Sequence, residues 1–136
     1  MNIDAVLELT AFGFRVHPLQ KQNKIPILEH WETRATTNAA NIRLWMSQHK
    51  QCNWGIATGE ASGIIVVDVD PKNGGDASWQ RLEKQHGEIE TVSVQTGSGG
   101  MHYYFAYPAG YEIGNSSGRI GKGIDVRGNN GQVFAP

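Results

Sequence analysis

The stretch VVDVDPKNGG, residues 66–75, joins an apolar strand to an unusual pair of acids. An apolar run that begins at Ile64 leads directly into Asp68 and Asp70. Alternate side chains of a strand point to the same face, so the two carboxylates are neighbours on one face. Like charges in such a place repel each other. The pair is therefore a candidate site for divalent metal ions, and acids that are simply solvated in the following turn are the alternative.

The composition is that of an ordinary globular protein of one domain. The chain has 136 residues, of which 39% are hydrophobic and 18% charged, and both fractions are typical of folded proteins. No apolar stretch approaches the roughly 18 residues of a membrane span, and the single cysteine excludes an internal disulfide. We expect a cytoplasmic protein without membrane contact. Because the formal net charge is −1, any binding of nucleic acid must rely on local patches of charge.

The spacing of apolar residues predicts helices that alternate with short strands. Helices are expected after Asn2, after Thr37 and over about 76–85, and residues 20–36 form a long loop. The expected strands cover residues 14–18, 54–58, 64–70, 91–95, 101–107, 124–128 and 132–136. This pattern is typical of an α/β or α+β domain with a mixed β-sheet and flanking helices. Since the last strand ends without a further element to cover it, we expect residues 1–136 to be a C-terminally truncated domain.

A third acid lies in GIDVRG, residues 123–128. Asp125 alternates with two apolar residues, so it faces away from the core, and Arg127 shares its face. Hard oxygen ligands suit Mg²⁺ or Mn²⁺, and two-metal sites hold their ions about 3.5–4 Å apart between bridging acids. Asp68, Asp70 and Asp125 are therefore candidate metal ligands and catalytic residues. An Asp–Arg pair on the protein surface is the alternative for this segment.

The glycine-rich segment TGSGG, residues 96–100, precedes an aromatic strand. It lacks the pattern of a Walker loop and that of a dinucleotide fingerprint. Ser98, Gly99 and Gly100 offer a hydroxyl group and unobstructed backbone N–H groups, which together suit a bound anion. His102 lies on the strand face opposite to the inward aromatic side chains, so we expect it to be free to reach a phosphate. A plain glycine hairpin is the alternative.

The order of these motifs resembles the bifunctional primase-polymerase domain of the archaeo-eukaryotic primase superfamily. The resemblance rests on DVD, SGGMHYYF and IDVRG, and it extends to AFGFRVHPL, KIP and NWGIATGEASGIIVVDVD. It implies an RRM-like catalytic sheet that is backed by a smaller N-terminal α/β module. Asp68 and Asp70 then match the first acidic motif and Asp125 the third. Ser98 and His102 match the nucleotide-binding motif between them.

The resemblance implies a DNA primase/polymerase that uses a two-metal mechanism with Mg²⁺ or Mn²⁺. The expected partners are nucleoside triphosphates, single-stranded or primer-template DNA, and a helicase domain in the same full-length chain. Domains of this kind occur in replication proteins of plasmids, phages and integrated elements. Ser98, His102 and Arg127 are expected to hold the triphosphate, and Lys24 on the long loop to reach it. A metal-dependent nuclease or phosphohydrolase and a non-catalytic module that binds nucleotide or DNA remain as alternatives.

Overall fold

The computed structural model describes residues 1–136 and contains eight strands and four α-helices. In chain order the elements are α1 (Ile3–Ala11), β1 (Val16–Leu19), α2 (Trp31–Arg34), α3 (Ala39–Gln48), β2 (Asn53–Ala57), β3 (Ile64–Val69), a short 3-10 helix (Pro71–Asn73), α4 (Gly75–His86), β4 (Val92–Gln95), β5 (Met101–Ala106), β6 (Ser116–Ser117), β7 (Ile124–Arg127) and β8 (Gln132–Phe134). The strands form two sheets, and the predicted α+β class is confirmed. No helix combines the length and the apolar character that crossing a bilayer would require.

The larger sheet has the strand order β4-β5-β3-β7-β6 and carries the predicted acids. Strand β3 leads through α4 to β4, and β5 then returns between these two strands. Strands β3 and β4 therefore run in the same direction without being neighbours, which is the split β-α-β arrangement expected of an RRM-like sheet. The expectation of a sheet with both parallel and antiparallel neighbours is corrected. Every strand is antiparallel to its neighbour, because β5 takes the place that a parallel partner would occupy.

The smaller sheet has the order β1-β2-β8 and is also antiparallel. Helix α3 packs against β1, and α1 packs against α3. Because β8 follows every strand of the larger sheet in the chain, the expected N-terminal module is completed by a C-terminal strand. This exchange of a strand ties the two sheets together, and it brings the β8 side chains close to the acids.

The two sheets share the main hydrophobic core. Val66 and Tyr104 of the larger sheet belong to the same buried cluster as Trp54 of the smaller one. The opposite face of the larger sheet packs on α4, where the rings of Trp79 and Tyr103 stack with their centroids 4.2 Å apart. Full burial of one large apolar side chain contributes roughly 1.5–3 kcal/mol. Asp68 and Asp125 lie on the face of the larger sheet that packs on the smaller sheet, just beyond the apolar residues that the two sheets share.

The helix ends follow local hydrogen bonds that the sequence predicted in part. The side chain of Asn2 accepts a hydrogen bond from a first-turn amide and begins α1 as expected. Helix α3 is capped by Asn38 and not by the predicted Thr37, because Oδ1 of Asn38 accepts from the amide of Asn41 at 3.0 Å. The predicted loop over residues 20–36 contains the short helix α2, which brings an aromatic ring against the smaller sheet.

Candidate active site

Two acids and the histidine meet on adjacent strands of the larger sheet. Asp68 of β3 lies opposite His102 of β5 on one side and opposite Asp125 of β7 on the other. The Cβ atoms of directly opposite residues in antiparallel strands are about 4.5–5.5 Å apart. We refer to His102, Asp68 and Asp125 as the central row. The register of the sheet thus brings together residues that belong to three separate motifs of the sequence.

Asp70 lies just beyond the end of β3 and has a structural role of its own. Its carboxylate accepts hydrogen bonds from the amide of Lys72, at 3.0 Å, and from the side-chain amide of Asn73. Its backbone amide donates to the carbonyl oxygen of Gly123 at 2.8 Å. Asp70 therefore caps the 3-10 helix, and it also faces the cavity that is lined by the two acids of the central row.

The acids of the central row are each compensated by a neighbouring side chain. Nε2 of His102 lies 3.5 Å from Oδ2 of Asp68. This contact lowers the pKa of Asp68, as do the charges of His102, Lys24 and Arg127, whereas partial burial opposes the shift. Nη2 of Arg127 donates to Oδ2 of Asp125 at 3.2 Å. Like charges can therefore adjoin on this sheet, because donors and cations of the chain offset their repulsion.

A polar cavity of about 560 Å³ lies over the acids, and none of its lining residues is apolar. The lining residues are Lys24, Asp68, Asp70, Asn73, Ser98, Gly100, Ser117, Gly118, Lys122, Gly123 and Asp125. We refer to this space as the acidic cavity. Three carboxylates and two lysines face it, so its walls carry a net negative charge. Such walls attract cations. The two lysines could in addition contact an anion that is bound to those cations.

A second cavity, of about 310 Å³, shares Lys24 and Asp68 with the acidic cavity. His102 and Arg127 line this second cavity and not the acidic one. The expected triphosphate ligands are therefore divided, since Ser98 faces the acidic cavity. Lys24 is the one cation that lines both spaces.

His102 is buried, which corrects the expectation that it extends freely toward a phosphate. Its exposed fraction is 5%. Strand β3 flanks it on one side and β4 on the other, where it lies opposite Val94. The contact with Asp68 uses Nε2, so the first role that the structure gives this histidine is to stabilise a carboxylate. The second cavity is one route by which a phosphate would reach the ring.

The glycine segment forms a hairpin whose amides are partly occupied by Thr96. The amides of Gly99 and Gly100 donate to the carbonyl oxygen and to Oγ1 of Thr96, each at 3.0 Å. The expectation of unobstructed N–H groups at these two glycines is therefore wrong. The amides of Gly97 and Ser98 are the ones in this hairpin without a protein acceptor. Gly100 is required for another reason, because a Cβ there would lie 2.8 Å from a backbone oxygen of β3.

A close contact between two backbone segments places Lys122 in the acidic cavity. Gly123 has a φ of +76°, and a Cβ on it would collide with the amide of Gly75. The hydroxyl of Ser78 donates to the carbonyl oxygen of Lys122 at 2.7 Å. The segment before β7 is therefore fixed against the first turn of α4. The neighbouring Arg119 is exposed and lines neither cavity.

Lys24 reaches both cavities from the loop that follows β1. The amide of Gln20 donates to the carbonyl oxygen of Ile25 at 2.8 Å and closes this loop. The carbonyl oxygen of Lys24 accepts from Nε2 of Gln132 at 2.9 Å, and its Nζ lies 5.1 Å from the ring centroid of Phe134. Both partners belong to β8. The structure therefore brings Lys24 to the predicted site although it precedes Asp68 by 44 residues in the chain.

Several residues that line the two cavities were not predicted from the sequence, among them Asn73, Ser117 and Trp31. Asn73 follows Asp70 within one turn, so its position in the chain was a usable signal. Ser117 belongs to the two-residue strand β6, and Trp31 to the one-turn helix α2. Elements this short carry no periodic pattern by which a sequence could reveal them.

The three acids fit a divalent cation in donor type and location. Carboxylate oxygens are the ligands that Mg²⁺ and Mn²⁺ prefer, and Asp68, Asp70 and Asp125 face one cavity. As they stand, no three acidic, histidine or cysteine side chains in the chain converge on a single ion position. Asp70 is bound to its turn and Asp125 to Arg127. Asp68 and Asp125 each keep one carboxylate oxygen without a protein partner.

Residues 6–136 match the family of bifunctional DNA primase/polymerase N-terminal domains. The chain belongs to this family. The match includes the central row, the glycine hairpin and the Lys24 loop, and it confirms the resemblance that the motifs indicated. No curated protein matches the sequence.

Membership in the primase/polymerase family gives the general function of the chain. It supports a role in DNA priming and polymerisation, and it implies binding of nucleotides and DNA. A nucleotidyltransferase activity is the chemistry that such a role requires.

Proposed function

We propose that this chain catalyses template-directed nucleotidyl transfer from nucleoside triphosphates, with Mg²⁺ or Mn²⁺ held by Asp68, Asp70 and Asp125. The observation that carries the proposal is the central row, in which Asp68 lies between His102 and Asp125 on three adjacent strands. Carboxylates on neighbouring strands, with a third at the strand end, offer ligands from two directions to ions in one cavity.

In the proposed reaction a primer 3′-hydroxyl, or the hydroxyl of an initiating nucleotide, attacks the α-phosphorus of the incoming triphosphate, and pyrophosphate leaves. Two divalent ions, when bound, would lower the pKa of the hydroxyl and neutralise charge on the leaving group. The carboxylates of Asp68, Asp70 and Asp125 would hold these ions. Lys24 and Lys122 add positive charge in the acidic cavity, where the charge of the triphosphate must be balanced.

The remaining predicted residues bind and orient the nucleotide. The hydroxyl of Ser98 and the unpaired amides of Gly97 and Ser98 donate to phosphate oxygens from the hairpin. Gly99 and Gly100 give the hairpin its shape, since their own amides are bound to Thr96. Arg127 and His102 act from the second cavity. Because His102 also contacts the carboxylate of Asp68, its removal affects the acids as well as the nucleotide.

The biological setting of the proposal is the replication of a plasmid, phage or integrated element in the cytoplasm. The resemblance of the motifs to primase-polymerase domains of such elements supports this setting. A helicase domain in the same full-length chain would suit it, because a helicase provides the single-stranded template on which a primase acts. Primer-template DNA would then be the substrate for extension.

Incorporation of labelled nucleotides on a single-stranded template, with and without a primer, tests the proposal. We expect Asp68→Asn and Asp125→Asn to reduce synthesis by about 100-fold or more, because each removes charge from the metal site. Asp4→Asn is the matched control, since Asp4 is exposed on α1 and lines neither cavity. Wild-type rates in either of the first two variants would refute the assignment.

The same assay separates two other functions. A metal-dependent nuclease or phosphohydrolase would shorten the DNA or release phosphate without extending a primer. A module that only binds would show affinity for triphosphate and DNA without any product. One observation favours this second candidate, because Asp70 and Asp125 already have partners within the chain. Synthesis that depends on Asp68 would exclude both.

A further inference from the structure

Lys24 is fixed at two points by strand β8, although its own side chain is exposed. Nε2 of Gln132 donates to the carbonyl oxygen of Lys24 at 2.9 Å. The ring of Phe134 lies below its ammonium group, with Nζ 5.1 Å from the ring centroid. A lysine that is held at its backbone and along its stem has less freedom to lose when it binds an anion.

The other end of the Gln132 amide is confined by packing and not by a hydrogen bond, since its Oε1 is buried without a partner. A Cβ on Gly55 would lie 2.9 Å from Oε1 of Gln132 and 2.8 Å from Nε2 of His17. The side chains of β1 and β8 therefore approach each other across β2 at the one place where β2 has no side chain. His17 is fully buried and stacks on Trp31 with ring centroids 4.7 Å apart. Such a ring cannot move without disturbing the core, so it limits where the Gln132 amide can lie.

We propose that Gln132 is a positioning residue that holds Lys24 toward the phosphates of the bound nucleotide, and that Gly55 and His17 hold Gln132 in turn. This inference rests on the proposed function, since it takes Lys24 to contact the triphosphate. Gln132 lines the second cavity, and we take it to act through its hydrogen bond to Lys24 and not by contact with the nucleotide. Its effect on nucleotide affinity must therefore pass through Lys24, and this requirement makes the role testable.

A double-mutant cycle measures that dependence. The variants are Lys24→Met, Gln132→Met and the double substitution, because methionine keeps the length of each side chain and removes its polar groups. The dissociation constants of ATP and dATP are measured in the presence of Mg²⁺. We expect Lys24→Met to weaken binding about tenfold or more, and Gln132→Met about threefold to tenfold. In the Lys24→Met background, Gln132→Met should change the constant by less than about twofold.

The cycle distinguishes positioning from a merely structural role. If Gln132→Met weakens binding by the same factor with and without the lysine ammonium group, Gln132 acts on the sheet and the inference is wrong. An unchanged affinity in Lys24→Met overturns it as well. Steady-state kinetics provides a second readout, in which Gln132→Met raises KM for the nucleotide and leaves kcat near the wild-type value. A fall in kcat at unchanged KM contradicts positioning.

Two further variants guard against effects on folding. Gly55→Ala places a methyl group between His17 and Gln132, and we expect it to weaken binding only when Lys24 is present. Gln48→Met is the control substitution, since Gln48 is exposed on α3 and lines neither cavity. Failure of the proposed function would show separately, as wild-type DNA synthesis by Asp68→Asn, a result that the affinity cycle does not affect.

Discussion

We expect the free energy of unfolding to fall by about 3 kcal/mol when the pH is lowered from 7 to 4, because of one buried histidine, His17. The ring is fully buried in the smaller sheet and lies beside Gln132 and Trp31, neither of which carries a charge. Burial lowers the pKa of His17 from 6.5 to about 4, although contacts with the backbone of Pro18 and with Gln132 oppose the shift. The folded protein therefore keeps this ring neutral where the unfolded chain protonates it.

The sign and the size follow from these two values. Between pH 6.5 and about 4 the unfolded state binds the proton and the folded state does not, so stability decreases as the pH falls. The values differ by about 2.5, and each pKa unit corresponds to 1.36 kcal/mol, which gives about 3 kcal/mol. Asp68 acts outside this window. Its pKa lies below 3.8, so the stability that it contributes is lost only at lower pH.

Urea denaturation at pH 7, 6, 5 and 4, followed by tryptophan fluorescence, measures the effect. We compare the wild type with His17→Leu, which removes the titrating ring and keeps an apolar side chain. The variant starts from a lower stability, so only the dependence on pH is compared. The exposed His86 on α4 provides the control, because His86→Leu should retain the wild-type dependence. An equally steep loss in His17→Leu would refute the reasoning.

Three substitutions at other positions test the construction of the site. Asp68→Asn should lower the free energy of unfolding by about 1 kcal/mol at pH 7, since it loses the contact with His102, and thermal denaturation measures this. Gly123→Ala should destabilise the fold and reduce DNA synthesis together, because a Cβ there collides with the first turn of α4. Tyr103→Ala should cost about 2 kcal/mol in denaturant unfolding while leaving nucleotide affinity per folded molecule unchanged, because this partly buried ring stacks on Trp79 of α4.

The sequence predicted most elements because their apolar spacing is regular, and it predicted the acids because they interrupt that spacing. Asp68 and Asp125 each stand between apolar neighbours on a strand, so the face that they occupy could be inferred without the fold. The register between strands could not be inferred, because pairing depends on the order of the whole sheet. The crossover through α4 determined that β5 and not β4 lies beside Asp68.

The contacts that the sequence did not reveal are hydrogen bonds and burial that depend on the folded structure. Thr96 takes the amides of Gly99 and Gly100, a result that depends on the exact turn and not on the number of glycines. The burial of His102 depends on β4, whose pairing the sequence does not encode locally. Lys24 was found through the resemblance of its motif, yet its partners on β8 come from the far end of the chain. Contacts of this kind are determined by tertiary structure alone.

The compensation of the acids by protein groups leads to a last prediction, which concerns metal removal. Asp68 is compensated by His102 and by nearby cations, and Asp125 is bound to Arg127, so the fold does not need an ion to offset their repulsion. We therefore expect chelation to abolish synthesis but to change the free energy of unfolding by only about 1 kcal/mol.

Arg127→Gln should make the stability of the fold depend on a bound cation. The substitution removes the partner of Asp125 and one of the charges that act on Asp68. In that variant the two opposed carboxylates depend on a bound cation, so its melting temperature should rise clearly with added Mg²⁺, whereas that of the wild type should rise little. Lys122→Gln is the matched control, since Lys122 lines the acidic cavity with both acids but forms no ion pair with either of them. Equal responses to Mg²⁺ in all three proteins would show that the arginine does not stand in for a metal ion at this site.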